Sequence, residues 1–268
     1  MPRIALGLEY DGSSFAGWQS QTHALGIQSV VEAALSRVAD HPVSVTAAGR
    51  TDAGVHATSQ VVHFDARNAR SERSWVLGAN TNLDPQISVH WAREVPDDFH
   101  ARYSALSRHY RYRILNQQQR PSLERLRACW IRQPLDHGLM HEAAQSLVGL
   151  HDFSSFRSAQ CQSPTPVRCL EAITIERFGN YVVLNIIANA FLHHMVRNIA
   201  GVLIAIGRCV RPVGWTAEVL QARDRTKGGV TAASAGLYLV GVKYDAIFGL
   251  PSWANLPVVG GPRIDAAV

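Results

Sequence analysis

A short link bracketed by glycines, between two β-type segments, is the feature that most constrains this chain. The link reads Ala48-Gly49-Arg50-Thr51-Asp52-Ala53-Gly54-Val55-His56-Ala57. Val43 to Ala48 is short and β-branched, and Thr58 to Asp65 alternates apolar with polar residues, so both are predicted strands. Gly49 and Gly54 provide backbone freedom for a tight turn and for close approach of a substrate. Asp52 is therefore expected on a turn between two strands.

The carboxylate of Asp52 has two interpretations. It can take part in chemistry, because loops often carry functional groups that the surrounding scaffold positions. Alternatively, Asp52 and Thr51 only satisfy the backbone amides of the turn, as Asp and Thr commonly do. The physical character of the link leaves both interpretations open.

The same ten residues resemble the signature of the TruA family of tRNA pseudouridine synthases. In that family the aspartate of the G-R-T-D-x-G-V-H motif is the catalytic nucleophile, and the resemblance assigns this role to Asp52. Later segments extend the resemblance from about Ile4 to Tyr244. It implies two similar α/β halves, each an antiparallel or mixed sheet with helices, around a central basic cleft that binds RNA.

Hydrophobic periodicity independently predicts an α+β chain, because the first half reads β-α-β-β rather than as a parallel doubly wound sheet. The predicted elements of the first half are strands Arg3 to Tyr10 and Ile87 to Val95, a helix from Ile27 to Ala39, and a helix that Ser71 caps. Those of the second half are a strand Leu106 to Leu115, a helix from the cap Asp136 to about Val148, a hairpin of Cys169 to Phe178 and Tyr181 to Ala188 around Gly179-Asn180, helices Phe191 to about Val210 and Thr216 to Ala222, and a strand Leu237 to Tyr244. We place the boundary between an N-terminal half, 1–104, and a C-terminal half, 105–268, and interpret Pro251 to Val268 as an irregular tail.

Composition favours a cytoplasmic protein without a metal. No apolar run approaches the length of a membrane span, and the first residues lack the apolar region of a signal peptide. The four cysteines form no C-x-x-C pair and have no zinc-like spacing. The expected protein is cytosolic and reduced, with no contact to a membrane.

Positive charge is concentrated in one segment of the chain. The formal net charge is +5, and from Arg102 to Arg132 there are eight arginines against one acid, Glu124. A basic segment of this kind is typical of a protein that binds a polyanion. Almost every basic residue is arginine, with only Lys227 and Lys243 as lysines. This preference proves less by itself, because a GC-rich genome also replaces lysine with arginine.

Arg197 lies in a predicted helix that is otherwise strongly apolar. The apolar stripe consists of Leu192, Met195, Val196, Ile199, Val202, Leu203 and Ile206. An arginine at the edge of a buried helix needs a partner, because an unpaired buried charge is costly. We therefore predict an ion pair between Arg197 and Asp52, which the family resemblance also implies. The alternative is that Arg197 extends to solvent.

His193 and His194 suggest a metal site only superficially. Adjacent residues of a helix point in different directions, and the chain contains no H-E-x-x-H motif and no deaminase-type zinc motif. We expect no metal here.

The strand Ser107-Arg108-His109-Tyr110-Arg111-Tyr112-Arg113-Ile114 alternates aromatic and cationic residues. Tyr110 and Tyr112 share one face, and Arg111 and Arg113 share the other. This pattern suits an unstacked base beside a phosphate backbone, although a strand that packs both tyrosines in the core reads the same way. The segment resembles the family's second motif, whose first tyrosine stacks on the target uracil, which assigns stacking to Tyr110.

The resemblance also implies the reaction and its remaining residues. Gly236-Leu237-Tyr238-Leu239 resembles the third family motif, in which an apolar side chain walls the uracil pocket, here Leu237, although an ordinary strand leucine fits equally. Arg50 is expected to enter the stem and replace the extruded base. The implied activity is conversion of uridine to pseudouridine at positions 38, 39 and 40 of the tRNA anticodon stem-loop, by a homodimer and without a cofactor.

Two rival functions use the same residues. A non-catalytic RNA-binding protein explains the arginines and tyrosines but not a carboxylate among phosphate-binding groups. A hydrolase of glycosidic bonds usually needs two carboxylates that flank the bond, and Glu32, Asp65 and Asp84 lack a setting comparable with that of Asp52. Loss of activity in Asp52→Ala would separate the enzyme from the pure binder, and release of free uracil would identify the hydrolase.

Overall fold

The computed structural model describes residues 1–251, and the chain divides into two compact units. The first unit contains Met1–Leu106 together with the chain from Leu239 onward, and the second contains Ser107–Tyr238. Most of the predicted irregular tail, residues 252–268, lies outside the described residues.

The first unit is built on an antiparallel sheet. Its elements are β1 (Arg3–Tyr10), α1 (Ile27–Ala39), β2 (Thr46–Ala47), β3 (His56–Asp65), α2 (Glu72–Asn82) and β4 (Ile87–Val95). β1 pairs antiparallel with both β3 and β4, and β2 pairs with β3. α2 packs against β4, and α1 packs against α2. The link that carries Asp52 thus joins two antiparallel neighbours.

The second unit is also built on paired β-strands and helices. Its elements are β5 (Ser107–Asn116), β6 (Cys129–Ile131), α3 (His137–Ala144), β7 (Gly149–Asp152), β8 (Val167–Phe178), β9 (Tyr181–Ala188), α4 (Met195–Gly207) and α5 (Trp215–Ala222). The strand order is β5-β9-β8-β7 with antiparallel pairing, and β6 adds to β5 in parallel. α3 packs on β8 and on α4.

The last strand, β10 (Leu237–Lys243), changes the predicted division of the chain. From Leu239 its residues belong to the first unit, where β10 is the neighbour of β3. The prediction assigned all of 105–268 to the second half. It failed here because hydrophobic pattern identifies a strand but not the sheet that the strand joins.

The predicted α+β fold is confirmed, and β1, α1, β4 and β9 begin and end at the predicted residues. Ser71 caps α2 by accepting a hydrogen bond from the Ser74 amide, and Asp136 caps α3 through the Leu139 amide. Among residues 1–251, no helix combines the length and the apolar character needed to cross a membrane.

Three predicted elements are clearly shorter than expected. The helix predicted from the cap Asp136 to about Val148 ends at Ala144 and is followed by a 3-10 turn, Gln145–Leu147. The strand from Val43 to Ala48 contracts to Thr46–Ala47. The helix predicted from Phe191 to about Val210 runs only from Met195 to Gly207, because His194 at its start has a left-handed backbone, with φ of 64°. The apolar periodicity of the sequence continues beyond both ends of this helix, so it does not reveal the turn at His194.

His63 on β3 is a buried histidine that must stay neutral. It is 7% exposed, and its Nδ1 accepts a hydrogen bond from the Ala101 amide at 3.1 Å, so this nitrogen carries no proton. Burial, with smaller contributions from the nearby His100 and Arg3, lowers the pKa of His63 from 6.5 to about 4. Folding therefore opposes protonation of this side chain.

The free energy of unfolding should fall as the pH is lowered from about 6.5 towards about 4. Across this window the unfolded state takes up a proton at His63 and the folded state does not, so acid favours unfolding. In His63→Gln the stability should depend less steeply on pH, measured by urea denaturation at several pH values. His23→Gln, which changes an exposed histidine, should keep the wild-type slope. Equal slopes in wild type and His63→Gln would contradict this account.

Candidate active site

Asp52 lies in a tight turn between β2 and β3. The Val55 amide donates a hydrogen bond to the Asp52 carbonyl at 3.1 Å, and Gly54 inside this turn has φ of 76°. A residue with a Cβ adopts that φ only at a cost, which explains the glycine. The Asp52 side chain is half-buried and the Arg50 side chain is exposed. The turn thus presents both side chains at the surface of the first unit.

Hydrogen bonds from three different parts of the first unit hold this loop. The Tyr10 hydroxyl bonds the Thr51 hydroxyl at 2.9 Å, and the Trp18 amide donates to the Thr51 carbonyl at 2.9 Å. The Gln60 side-chain amide donates to the Gly49 carbonyl at 2.7 Å. Burial raises the pKa of Tyr10 to about 12, so its hydroxyl stays protonated at neutral pH. The backbone on the N-terminal side of Asp52 is therefore fixed.

Two glycines allow the neighbouring chain to pass directly beneath the loop. A Cβ at Gly12 would overlap the carbonyl oxygen of Val55. A Cβ at Gly17, where φ is 94°, would lie 2.7 Å from the carbonyl oxygen of Thr51. The loop rests against backbone at both points, which prevents it from moving inward.

Other carboxylates of the first unit are used for structure. Glu32 accepts hydrogen bonds from the Val45 amide and from the Gln28 side chain, each at 2.9 Å. Asp65 pairs with Arg3 at 2.8 Å, and this hydrogen bond lowers the pKa of the Asp65 carboxyl. Asp52 remains the best candidate for chemistry because it sits on a loop that the fold holds in place.

In the second unit, Arg197 is anchored by the backbone. It lies in the first turn of α4, half-buried, and its Nε donates to the Ala232 carbonyl at 2.9 Å. The Ala232 amide donates in return to the Arg197 carbonyl at 3.1 Å. This reciprocal pair fixes the direction of the guanidinium, so Arg197 does not simply extend into solvent.

Tyr112 forms a hydrogen bond with Ala233, the residue that follows Ala232. Its hydroxyl donates to the Ala233 carbonyl at 2.7 Å, and burial raises its pKa well above the ordinary value, while the charge of Arg197 acts in the opposite direction. Leu237 follows on the same segment and is buried. The second unit therefore brings Arg197, Tyr112 and the segment that leads to Leu237 together.

Tyr110 lies on β5, two residues before Tyr112, and is 7% exposed. Its ring meets the edge of Phe191, with centroids 4.9 Å apart and planes at 81°. This contact sets the orientation of the ring. Of the predicted site residues, Arg50 and Asp52 belong to the first unit, and Tyr110, Arg197 and Leu237 belong to the second.

The prediction for the arginine face of β5 was wrong. Arg111 is 2% exposed and donates to the Asn185 side chain at 2.8 Å, and burial lowers its pKa to about 10. Arg113 is 4% exposed, 3.2 Å from Glu124, with its guanidinium 5.0 Å from the centre of the Tyr181 ring. Both faces of β5 are covered by other parts of the protein. The alternation of tyrosine and arginine along the strand therefore does not produce one exposed cationic face and one aromatic face. The exposed arginines of this segment are Arg102, Arg120, Arg125, Arg127 and Arg132.

His193 and His194 differ from the prediction in geometry. Neither lies within α4, and their ring centroids are 4.0 Å apart, so the argument from adjacent helical residues does not apply. Sequence reasoning also missed the supporting roles of Tyr10, Trp18 and Gln60. Tyr10 and Trp18 are far from Asp52 along the chain, and only the antiparallel pairing of β1 with β3 brings Tyr10 to the loop. Gln60 is close in sequence, but it reads only as a polar position of an alternating strand.

Gly17→Ala should destabilise the first unit by about 1–3 kcal/mol, because an alanine with positive φ is strained and its Cβ would press on the Thr51 carbonyl. The measurement is the free energy of unfolding from urea denaturation. The matched control is Gly214→Ala, where a Cβ would meet no atom within 4 Å and φ is −64°. Equal stability of the two variants would show that the loop does not rest on Gly17.

Comparison with known proteins agrees with the resemblance seen in the motif. A sequence model of the family described as tRNA pseudouridine synthase matches residues 8–104 and 143–245. A protein of Nitrosococcus oceani named tRNA pseudouridine synthase A is 57% identical over 249 residues, which cover 93% of this chain and 96% of the relative. The Methylococcus capsulatus protein of the same name is 58% identical over 248 residues, 92% of each chain. This chain therefore belongs to the tRNA pseudouridine synthase family.

Proposed function

We propose that this protein converts uridine to pseudouridine in tRNA, at positions 38, 39 and 40 of the anticodon stem-loop. The observation that carries the proposal is the position of Asp52. The resemblance of its motif assigns the family's catalytic role to this aspartate, and hydrogen bonds from Tyr10, Trp18 and Gln60 hold the loop that presents it. Membership of the family and close relatives named tRNA pseudouridine synthase A support the same activity.

The reaction is an isomerisation that one carboxylate can support. The N1–C1′ bond breaks, the uracil turns while it is held, and C5 forms a bond to C1′. The proton of C5 is lost and N1 gains one, so atoms balance without an oxidant, a reductant or a group donor. Three steps suit Asp52: addition to uracil C6, attack on C1′, or removal of the C2′ proton. The enzyme accordingly needs no cofactor.

The second unit supplies the residues that receive the base. The ion pair predicted between Arg197 and Asp52 would give Arg197 its role, because a cation near a carboxylate favours the ionised form that a nucleophile requires. Its hydrogen bond to Ala232 supports this role, because an oriented guanidinium can position the carboxylate oxygens. Tyr110, whose ring Phe191 orients, stacks on the uracil, and Leu237 closes the pocket.

The exposed arginines hold the RNA. Extrusion of a base costs a few kcal/mol, which contacts between phosphates and Arg102, Arg120, Arg125, Arg127 and Arg132 offset. Arg50, exposed on the Asp52 loop, takes the place of the extruded base in the stem. The protein works in the cytoplasm as a homodimer, and one tRNA contacts both subunits.

A non-catalytic RNA-binding function fits the observations less well. Such a protein gains nothing from a carboxylate on a braced loop, since this charge repels phosphate. A glycosidic hydrolase would require a second carboxylate, and Glu32 and Asp65 have structural partners.

Incubation of the purified protein with unmodified tRNA should yield pseudouridine at uridines 38 to 40, mapped at nucleotide resolution. The nucleobase should remain attached throughout, because the base is held while it turns. Asp52→Asn should form no pseudouridine. Its matched control is Asp84→Asn, which changes an exposed carboxylate far along the chain from the motif and should keep full activity. Unmodified uridines in the anticodon arm, or release of free uracil, would overturn the proposal.

A further inference from the structure

Three rings in the first unit form a column that ends at the surface. The buried His63 ring lies 4.9 Å from the His100 ring, centre to centre, and the His100 ring lies 4.3 Å from Tyr103, with planes tilted by 31°. We name His63, His100 and Tyr103 the aromatic column. Tyr103 is 75% exposed, although His100 supports one side of its ring. A large aromatic surface is therefore held at the solvent boundary.

The backbone beneath the column is fixed by hydrogen bonds. The amides of Arg102 and Tyr103 both donate to Nδ1 of His100, at 3.1 and 3.2 Å. The Tyr244 hydroxyl donates to the Ala101 carbonyl at 2.6 Å, and the Ala101 amide donates to His63. Tyr103 thus projects from a braced loop, so little conformational entropy is lost when a ligand stacks on it.

Charge around the column favours an RNA ligand. Because Nδ1 of His100 accepts two backbone hydrogen bonds, the ring is neutral, and desolvation lowers its pKa from 6.5. The Arg102 guanidinium lies over the Tyr103 ring, 5.5 Å from its centre, so a cation accompanies this exposed aromatic side chain. The acids of the preceding loop, Asp97 and Asp98, interact with Arg3. An aromatic ring beside an arginine is the combination that proteins use to bind unpaired nucleotides.

We propose that the exposed face of Tyr103 is a second stacking site, which binds an unpaired nucleobase of the RNA outside the reaction pocket. This inference rests on the proposed function, since it takes tRNA as the ligand. It differs in mechanism from the role of Tyr110, because Tyr103 touches no reacting base. Its contribution belongs to RNA affinity and not to the chemical step.

The test compares Tyr103→Ala with Tyr103→Phe, which keeps the ring and removes only the hydroxyl. For Tyr103→Ala, Kd for unmodified tRNA should rise by about 10-fold or more, which is the usual effect of replacing an aromatic side chain that stacks on one base with alanine. Tyr103→Phe should bind within about 2-fold of wild type, as a stacking contact requires. The turnover rate at saturating tRNA should be that of wild type in both variants. Ile247→Ala, which removes another exposed apolar side chain of the first unit (76% exposed), should not change Kd.

An abasic scan identifies the stacked base. Unpaired nucleotides of an anticodon stem-loop RNA are replaced one at a time, and on one of these RNAs Tyr103→Ala should cause no further loss of affinity. The inference would be overturned if Tyr103→Ala bound tRNA with wild-type affinity. It would also be overturned if Tyr103→Ala lost the same affinity, relative to wild type, on every abasic RNA. A change in sedimentation with unchanged affinity would instead assign the ring to contact with a second protein copy, and also overturns it. Failure of the wild type to bind tRNA or form pseudouridine would refute the proposed function itself.

Discussion

The structure around the candidate site depends on one constraint, the fixed backbone of the loop that carries Asp52. Tyr10, Trp18 and Gln60 bind this loop from three places in the chain, and Gly12 and Gly17 let the backbone below make direct contact with it. An aspartate on a mobile loop would lose positional entropy in each turnover, whereas here that cost is met during folding. The short β2 and the antiparallel pairing of β1 with β3 serve this arrangement.

The fold also buries positively charged side chains. Arg111 and Arg113 belong to the most basic segment of the chain, but they are enclosed beside Asn185, Glu124 and Tyr181. A buried guanidinium requires partners, and losing one of these would leave the charge uncompensated. A basic segment in sequence is therefore not the same as a basic surface. The exposed charge of this segment comes from the arginines that flank β5.

Sequence alone predicted the α+β class, the catalytic candidate and several element boundaries. These depend on local information: apolar periodicity, caps such as Ser71 and Asp136, and a ten-residue motif. It could not predict that β10 joins the first unit or that Ala232 anchors Arg197, because these contacts join residues far apart in the chain. The burial of Arg111 was missed for a related reason: alternation along a strand does not show whether one face or both are covered.

The central claim is that the Asp52 carboxylate performs the chemistry while other residues bind the RNA. The most direct measurement determines tRNA affinity and product formation together for Asp52→Asn, which keeps the size of the side chain and removes its charge. The account predicts that this variant binds tRNA at least as tightly as wild type, because a negative charge near phosphate is lost, and that it forms no pseudouridine even in a single turnover. Pseudouridine formed by Asp52→Asn at a rate near that of wild type would contradict the account.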